Sequence, residues 1–554
     1  MQEEKQTLTT QQAIDVAIEH HQAGRLSQAE NIYQHILAGK PNQPTALHLL
    51  GVIAHQTGKD DLALDMISKA LTVDPDYAEA HNNLGKVLED IGNLSNALDR
   101  YEIAAAIEPN LAGVHFNQGN VLQKLGRLSD AALAYRKALH LNHNSAETHY
   151  GLGNVLKKLG RTDQAVKSYN NAVKIQPNYP EAHNNLGTAL QEVGRHIEAM
   201  ASYKKAIHHK PDYATAHNNL GTALHNDRNF DAAARRYQRA IVLKPDYADA
   251  RNNLSTVLQL QGKIEEAVQQ IDLALFHNPS NSGWHIKKAL LLPPVYDSEE
   301  SIDAVRNNVA QSIAALRKQR LSIADPVSEV ATTGFHLAYH GKNNRHLMKE
   351  IAKLHISTCP QLTYESKHFR SRKSKKKKAL RVGFVSSFFR DHTIGKFTRG
   401  TIKLLTREQF EVFVFRLPRR SDAISRFIDD AADNVVLLTG KLKEDQARIE
   451  NAEMDILFYP DIGMSPLTYF LAFSRLAPVQ VTTWGHPDTT GIPNIDYFLS
   501  SKDLEVDGLS EHYSERVIKL DNTTPYYFRP NPQKEKLALS DYNLPTENRL
   551  YLCP

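Results

Sequence analysis

The pentapeptide HNNLG occurs three times, at residues 81–85, 183–187 and 217–221. The second and third copies are 34 residues apart, and the first and second are 102 apart, which is three times 34. A fixed period of this length is the mark of a repeat protein, in which every unit is one supersecondary motif. The stretch therefore predicts stacked repeats in the first half of the chain.

Three further columns keep the same register. The proline column contains Pro41, Pro75, Pro109, Pro177, Pro211, Pro245 and Pro279, with His143 as the exception. The alanine column contains Ala29, Ala63, Ala97, Ala131, Ala165, Ala199, Ala233 and Ala267. The third column contains Gly51, Gly85, Gly119, Gly153, Gly187, Gly221 and then Ser255. These columns resemble the tetratricopeptide repeat, a helix-turn-helix unit, and predict eight repeats over residues 10–281.

The residues alone support the same architecture. Apolar side chains recur at helical spacing, and a small residue stands where the two helices of a unit must approach closely. Dipeptides such as Gly92-Asn93 are typical of the end of a first helix. One hairpin cannot bury its apolar face alone, so we expect the units to stack into an α superhelix with a long concave surface.

One column of the repeats is rich in asparagine. Its members are Asn83, Asn117, Asn185, Asn219 and Asn253. A carboxamide both donates and accepts hydrogen bonds, so a row of them along the inner surface can hold an extended peptide backbone whatever its side chains are. We predict that these residues bind peptide. The alternative, that they only pack adjacent first helices, remains open at this point.

A histidine column also follows the period. It contains His81, His115, His149, His183 and His217. Neighbouring members are one repeat apart, roughly 10 Å by helix spacing, which is too far for shared metal coordination. We therefore predict a structural role for this column and expect no metal.

Composition narrows the class of protein and its partners. Lys and Arg total 66 against 62 Asp and Glu, a net charge of +4, so bulk charge does not indicate a nucleic-acid or membrane-surface binder. Two cysteines, Cys359 and Cys553, cannot build a disulfide framework and favour a reducing compartment. No run approaches the roughly 20 apolar residues of a spanning helix. We expect a cytoplasmic protein without a membrane partner.

The repeats fade after residue 281, and helical patterns continue to about residue 356. We interpret residues 282–369 as a helical bridge. The segment RSRKSKKKK, residues 370–378, then places seven positive charges in nine positions. We interpret it as a basic linker at a domain boundary, with contact to phosphate or nucleic acid as the alternative.

From residue 379 the period changes to short runs rich in Val, Ile and Phe. They read ALRVGFVSS, FEVFVFRL, NVVLLTG, MDILFYPDIG and PVQVTTWG. Apolar strands alternating with helical segments indicate a parallel sheet covered on both faces, a Rossmann-like lobe over residues 379–547. The loops at the carboxyl ends of such strands form a binding crevice. None of them is a GxGxxG or Walker loop, so we expect neither an ordinary dinucleotide site nor a P-loop.

The segments LRVGFVSS, DHTIGK, LAPVQVTTWGHPDTTGIPNIDY and HYSERVIKL resemble the catalytic region of protein O-GlcNAc transferases and their SPINDLY-like relatives. The repeats in front strengthen this resemblance. It implies an inverting GT-B glycosyltransferase, of which residues 379–547 are the first lobe. It also implies GlcNAc transfer from UDP-GlcNAc to Ser or Thr of proteins held by the repeats. The nucleotide sugar is then a co-substrate, and neither a resident cofactor nor a metal is expected.

The resemblance carries site residues with it. His392 matches a histidine at the catalytic cleft, where it can orient an acceptor hydroxyl or relay its proton; capping the next helix is the alternative. Gly485 and Pro487 match the loop that lies against the donor sugar. Phe388 stands where many relatives have Asp, so no carboxylate base is available there. Lys396 replaces a histidine of the animal forms and is a candidate donor contact.

The last seven residues resemble the start of a second lobe. NRLYLCP, residues 548–554, reads as the opening strand of a second lobe, which in this family holds the nucleotide. We therefore expect a fragment that lacks the donor lobe and is inactive alone. The resemblance also leaves open an O-fucosyltransferase of SPINDLY type and a non-enzymatic repeat scaffold. A homo-oligomer is left open as well.

Overall fold

The computed structural model describes residues 8–522, except residues 294, 369–378, 419–420, 484, 486–487 and 506–507. The basic segment 370–378, Pro487 and the stretch 548–554 therefore lie outside the described residues. The chain forms two compact units, Met1–Val257 and Leu258–Pro554.

Sixteen helices within the described residues form eight helix-turn-helix pairs, which confirms the predicted repeats. Their bounds are α1 (Thr10–Gln22), α2 (Leu26–Gly39), α3 (Pro44–Gln56), α4 (Asp60–Val73), α5 (Ala78–Asp90), α6 (Leu94–Ile107), α7 (Ala112–Lys124), α8 (Leu128–Leu141), α9 (Ala146–Lys158), α10 (Thr162–Ile175), α11 (Pro180–Glu192), α12 (His196–His209), α13 (Ala214–Asn226), α14 (Phe230–Leu243), α15 (Ala248–Leu260) and α16 (Ile264–His277). The five asparagines of the column lie on first helices, namely α5, α7, α11, α13 and α15. The boundary between the two compact units falls inside α15.

Within a repeat, the glycine of the small-residue column faces a buried tyrosine of the second helix. A Cβ placed at Gly187 would lie 2.7 Å from Cε1 of Tyr203, whose side chain is buried. Gly85 and Tyr101 form the same contact at 2.7 Å. Carbon atoms do not approach this closely, so the two helices can pack at this distance only because the first carries no side chain there.

The turns between the paired helices depend on a second glycine column. Gly24, Gly58, Gly92, Gly126, Gly160, Gly194 and Gly262 all have positive φ, between 73° and 86°. The left-handed conformation is readily adopted by glycine because it lacks a Cβ. In the seventh repeat, Arg228 occupies this position at a φ of 62°.

Beyond the repeats, the described residues of the second unit form eight further α-helices and a parallel sheet. The helices are α17 (Ser282–Ala289), α18 (Glu299–Leu316), α19 (Pro326–Glu329), α20 (Arg345–Thr358), α21 (Thr393–Leu404), α22 (Ala423–Ala431), α23 (Leu442–Asn451) and α24 (Pro466–Leu471). The strands are β1 (Leu380–Ser386), β2 (Phe410–Arg416), β3 (Asn434–Leu437), β4 (Ile456–Tyr459), β5 (Val479–Thr483), β6 (Tyr497–Ser501) and β7 (Arg516–Leu520).

All strand pairs of the sheet are parallel, and the order is β3-β2-β1-β4-β5-β6-β7. Val382 of β1 pairs with Val412 on one side and with Ile456 on the other. The predicted Rossmann-like parallel sheet is confirmed. The five apolar runs correspond to β1–β5, whereas β6 and β7 were not predicted.

Both faces of the sheet are covered, as the apolar strands predicted. Phe384 and Val414 face a cluster that includes Ile402 of α21 and Ile428 of α22. On the other face, Phe415 belongs to a larger cluster that extends into the segment predicted as a helical bridge. Its members from that segment include Ile313, Leu347, Met348 and Ile351. Helices α18 and α20 therefore share one hydrophobic core with the sheet.

Among the described helices, none is both long enough and apolar enough to cross a bilayer.

Candidate functional site

The sheet has a topological switch point between β1 and β4. These strands are neighbours, but the chain continues from β1 toward β2 on one side and from β4 toward β5 on the other. Loops that follow two such strands diverge, and the crevice between them is where open α/β sheets bind ligands. The carboxyl ends of β1 and β4 therefore locate the candidate site.

Close contacts hold three loops together at this edge. A Cβ placed at Gly485, after β5, would lie 1.7 Å from the carbonyl oxygen of Pro460 and 2.8 Å from Cδ1 of Ile394. The hydroxyls of Ser387 and Ser465 are 2.9 Å apart and link the loops after β1 and β4. Contact with Pro460 explains why residue 485 is glycine. The predicted contact of Gly485 with a donor sugar stays a prediction, and Pro487 lies outside the described residues.

His392 begins helix α21 at this edge. Its Nδ1 accepts a hydrogen bond from the backbone N–H of Ile394 at 3.2 Å, and its ring stacks on Phe388 with 4.5 Å between ring centroids. The capping role left open by the sequence is therefore present. Because Nδ1 accepts, a neutral ring carries its proton on Nε2, which is then a donor. In this state the imidazole can orient a substrate oxygen but cannot take a proton through Nε2. Its catalytic role stays a prediction.

Lys396 lies one turn further along α21. Its ammonium forms an ion pair with Asp391, with 2.8 Å between Nζ and Oδ1, and both side chains are more than half exposed. Exposed pairs of this kind contribute at most about 1 kcal/mol. A phosphate that approached this edge could therefore compete with Asp391 for the ammonium, although donor contact by Lys396 stays a prediction.

Asp461 is a residue of this crevice that the sequence reasoning missed. It directly follows the run ILFYP at the end of β4, and its side chain is fully buried. Neither carboxylate oxygen has a partner within hydrogen-bond geometry among the described residues, and burial raises the pKa of the carboxyl to about 7. A charged residue placed directly after a buried parallel strand is the signal that could have identified it.

The five asparagines of the column form hydrogen bonds with the preceding repeat. The Nδ2 contacts are Asn83 to His48 Nε2 at 2.7 Å, Asn117 to Asn82 Oδ1 at 3.0 Å, Asn185 to Tyr150 OH at 3.1 Å and to Asn154 Oδ1 at 3.0 Å, Asn219 to Asn184 Oδ1 at 3.0 Å, and Asn253 to Asn218 Oδ1 at 3.0 Å. The packing role that the sequence left open is therefore present. Peptide binding by the same side chains stays a prediction.

Six asparagine side chains, three of the column and three from other positions, form one continuous series. Asn218 donates to Asn219 at 3.5 Å, and Asn184 donates to Asn185 at 3.2 Å, which joins the contacts between repeats. We call this series the amide chain. It runs through Asn253, Asn218, Asn219, Asn184, Asn185 and Asn154. It connects the first helices of four consecutive repeats.

The five histidines of the column hydrogen-bond the backbone just before their own first helices, which are α5, α7, α9, α11 and α13. Nε2 of His183 hydrogen-bonds the carbonyl oxygen of Pro177 at 2.9 Å, and Nε2 of His217 bonds that of Pro211 at 3.1 Å. Both acceptors belong to the proline column. These bonds confirm the structural role. Among the described residues, no three or more His, Cys, Asp or Glu side chains are grouped so that they could hold a metal ion.

Known protein families match both parts of the chain. Models of the tetratricopeptide repeat match residues 44–77, 61–112, 119–160, 153–194, 192–227 and 218–282. The model of glycosyl transferase family 41 matches residues 308–528, which include His392, Asp461 and Gly485. The chain combines tetratricopeptide repeats with a family 41 glycosyltransferase domain. The resemblance seen in the sequence is thereby confirmed.

Three relatives illustrate the range of this similarity. A probable UDP-N-acetylglucosamine–peptide N-acetylglucosaminyltransferase, SEC of Arabidopsis thaliana, is 26% identical over 32% of this chain and 19% of its own length. A UDP-glucose:protein N-beta-glucosyltransferase of Actinobacillus pleuropneumoniae is 26% identical over 33% of this chain and 30% of its own. A probable peptide N-acetylglucosaminyltransferase, SPINDLY of Solanum lycopersicum, is 27% identical over 28% and 17%. The chain thus matches less than a third of the length of each relative.

Proposed function

We propose that this glycosyltransferase transfers GlcNAc from UDP-GlcNAc to Ser or Thr hydroxyls of proteins held by its repeats. The observation that carries the proposal is the family 41 match over residues 308–528 together with the crevice it contains, at the switch point between β1 and β4. Relatives that are named as peptide N-acetylglucosaminyltransferases support GlcNAc as the sugar. N-linked glucose, as in the name of the bacterial relative, a UDP-glucose:protein N-beta-glucosyltransferase, is the second candidate.

In this proposal His392 orients the acceptor. Nδ1 of His392 accepts the capping hydrogen bond from the Ile394 N–H, so the ring donates to a substrate oxygen through Nε2–H. The Lys396 ammonium leaves its ion pair with Asp391 and binds a phosphate of the nucleotide sugar. The ammonium then supplies positive charge where the leaving group develops negative charge. Glycosyl transfer is one displacement with inversion, in which the acceptor oxygen bonds to the anomeric carbon as the bond from that carbon to the diphosphate oxygen breaks. UDP leaves, the hydroxyl proton passes to a phosphate oxygen of UDP or to water, and no metal is needed.

The donor and the linkage are tested together. The full-length protein is incubated with a peptide array and with UDP-GlcNAc, UDP-glucose or GDP-fucose in turn. Intact-mass spectrometry identifies the sugar, and alkaline β-elimination separates Ser or Thr linkages from Asn linkages. We expect a GlcNAc increment that is lost on β-elimination, β configuration by NMR, and full activity in EDTA. Transfer of fucose alone would indicate the O-fucosyltransferase of SPINDLY type. No transfer from any donor would support the non-enzymatic repeat scaffold.

Two substitutions at one position test His392. His392→Asn keeps a side chain that caps helices well and removes the imidazole, whereas His392→Ala removes both. If the ring orients the acceptor, turnover falls about a hundredfold in both variants. Lys396→Gln should instead act mainly on the KM for the donor. Wild-type turnover in His392→Asn but not in His392→Ala would assign the residue to capping alone.

Two further proposals concern the setting of the reaction. Acceptor proteins bind along the asparagine column of the first helices, and their affinity is measured by peptide titration with Asn185→Ala as the variant. The small number of cysteines supports a cytoplasmic location. Localisation of the tagged protein by microscopy tests it.

A further inference from the structure

An open groove lies between the second helices of the third and fourth repeats. Its walls are α6 and α8, its base is formed by α7, and its volume is about 700 Å³. A second pocket of about 250 Å³ extends the groove and shares Glu102, Gln118, Leu133 and Lys137 with it. We call this surface the α6–α8 groove. Residues of second helices form both walls, whereas the asparagine column lies on first helices.

The groove exists because the chain departs from its own repeat pattern on the α6 wall. The column that contains Ala105 is otherwise aliphatic, with members Leu37, Leu71, Leu139, Val173, Ile207, Ile241 and Leu275. Leu139, Val173 and Ile207 pack against the hydrophobic core of the repeats. Alanine at position 105 therefore lacks the branched aliphatic side chain that the other seven repeats carry at the same position.

Two more departures meet at the same place. Gln118 stands in a column that is otherwise buried leucine from α3 to α15, with members Leu50, Leu84, Leu152, Leu186, Leu220 and Leu254. Leu133 is the only large apolar residue in a column that is otherwise polar or alanine, and it is 56% exposed. An aliphatic side chain is missing inside the groove, and another is exposed at its edge. An apolar surface of this form is a recognised mark of a protein interaction site.

Charge distinguishes the two walls. Arg136, Lys137 and His140 line the α8 wall, and Glu102 lines the α6 wall. Within the described residues, Arg136 bonds only the neutral Gln164, and neither Arg136 nor Lys137 forms an ion pair with the protein's own carboxylates. The cationic wall therefore suits a ligand that carries negative charge beside its apolar group.

We propose that the α6–α8 groove binds a peptide segment of a partner protein in which an acidic residue neighbours a leucine or isoleucine. The apolar side chain occupies the space over Ala105 and contacts Leu133. The carboxylate meets Arg136 and Lys137. This site is separate from the proposed acceptor surface and does not depend on glycosyl transfer.

The probe is a fluorescein-labelled 12-residue peptide with a central leucine between glutamates, measured by fluorescence anisotropy. Matched peptides carry alanine for the leucine, or glutamine or lysine for the glutamates. We expect the leucine–glutamate peptide to bind at least tenfold more tightly than each of these. Equal binding of the lysine peptide, or no binding of any, would overturn the proposal.

The variants locate the binding. Ala105→Leu restores the column residue, so it should keep the thermal stability and reduce peptide affinity at least tenfold. Lys137→Glu should reduce it similarly, whereas Lys205→Glu, in the same column two repeats further on, should not. Loss of binding in Asn185→Ala with no effect of Ala105→Leu would place the peptide on the first helices instead. A wild-type dimer that Ala105→Leu dissociates, seen by sedimentation, would make a second copy the occupant.

Discussion

Replacing Asn219 with alanine separates the structural use of the asparagine column from its use in binding. Asn219 lies in the middle of the amide chain, donating to Asn184 Oδ1 at 3.0 Å and accepting from Asn218 Nδ2 at 3.5 Å. Asn184 and Asn218 are 4% and 7% exposed, so water cannot readily replace the lost partner. The shorter bond contributes about 1 kcal/mol and the longer one less, and an unsatisfied buried carbonyl adds to the cost. We expect a local loss of about 2 kcal/mol.

Hydrogen–deuterium exchange measured by mass spectrometry suits this test, because a chain with two compact units need not unfold in one step. A loss of about 2 kcal/mol accelerates exchange of the protected amides in α11 and α13 by roughly thirtyfold. Asn253→Ala removes one bond, to Asn218, and should accelerate exchange by about tenfold or less. Lys204→Ala, on the exposed face of α12, should leave the rates unchanged.

The same variants are titrated with an acceptor peptide. Unchanged exchange in Asn219→Ala together with a large loss of peptide affinity would refute the reasoning, because the amide would then serve the ligand and not the repeats. Faster exchange with unchanged affinity would show that the column only packs adjacent helices. Faster exchange together with weaker peptide binding would mean that the asparagine side chains both pack adjacent helices and bind the peptide.

Three further substitutions test the packing and the buried charges. Gly187→Ala should lower the free energy of unfolding, measured by urea titration, by about 1 to 2 kcal/mol, because its Cβ overlaps Tyr203 and this cost exceeds the gain in helix propensity. Adding Tyr203→Leu should restore the stability. His355 is fully buried with neither ring nitrogen hydrogen-bonded, and burial lowers its pKa to about 3. The unfolded histidine therefore binds a proton first, and stability falls as the pH drops below about 6.5; His355→Leu should remove this acid sensitivity and keep the stability at pH 7. For Asp461 the sign is opposite, since the pKa of about 7 means that the folded carboxyl keeps its proton while the unfolded one ionises near pH 4. Stability should fall by up to roughly 4 kcal/mol between pH 4 and 7, and denaturant titrations of Asp461→Asn should lack this slope.

The repeats could be predicted almost completely from the sequence, because a 34-residue period fixes both the helices and the columns that pack. The glycine turns followed from the same period, except that Arg228 adopts the left-handed conformation where six other turns within α1–α14 use glycine. The partners of the asparagines could not be predicted. They depend on how far one repeat is shifted and rotated against the next, and that is a property of stacking rather than of any one repeat.

The sheet was predicted less completely. Strands β1–β5 carry continuous apolar runs, whereas β7, at the sheet edge, shows alternating exposure, and its sequence RVIKL places charged residues beside the apolar ones. His392 and Gly485 are predicted from the family resemblance, and the structure places both at the carboxyl edge of the sheet, whereas their roles stay predictions. Asp461 was missed because its significance depends on burial, and the sequence does not show which loop carboxylates are removed from water.

The core shared by α18, α20 and the sheet decides how the protein can be dissected for experiment. The basic segment 370–378 looks like a natural place to cut, but a fragment starting at residue 379 would lose Leu347, Met348 and Ile351 from the cluster that holds Phe415. Exposed in water, that cluster would drive aggregation. Because Ile286 of α17 belongs to the same cluster, expression of the isolated family 41 domain should start ahead of α17, and failure of shorter fragments should not be mistaken for lack of activity.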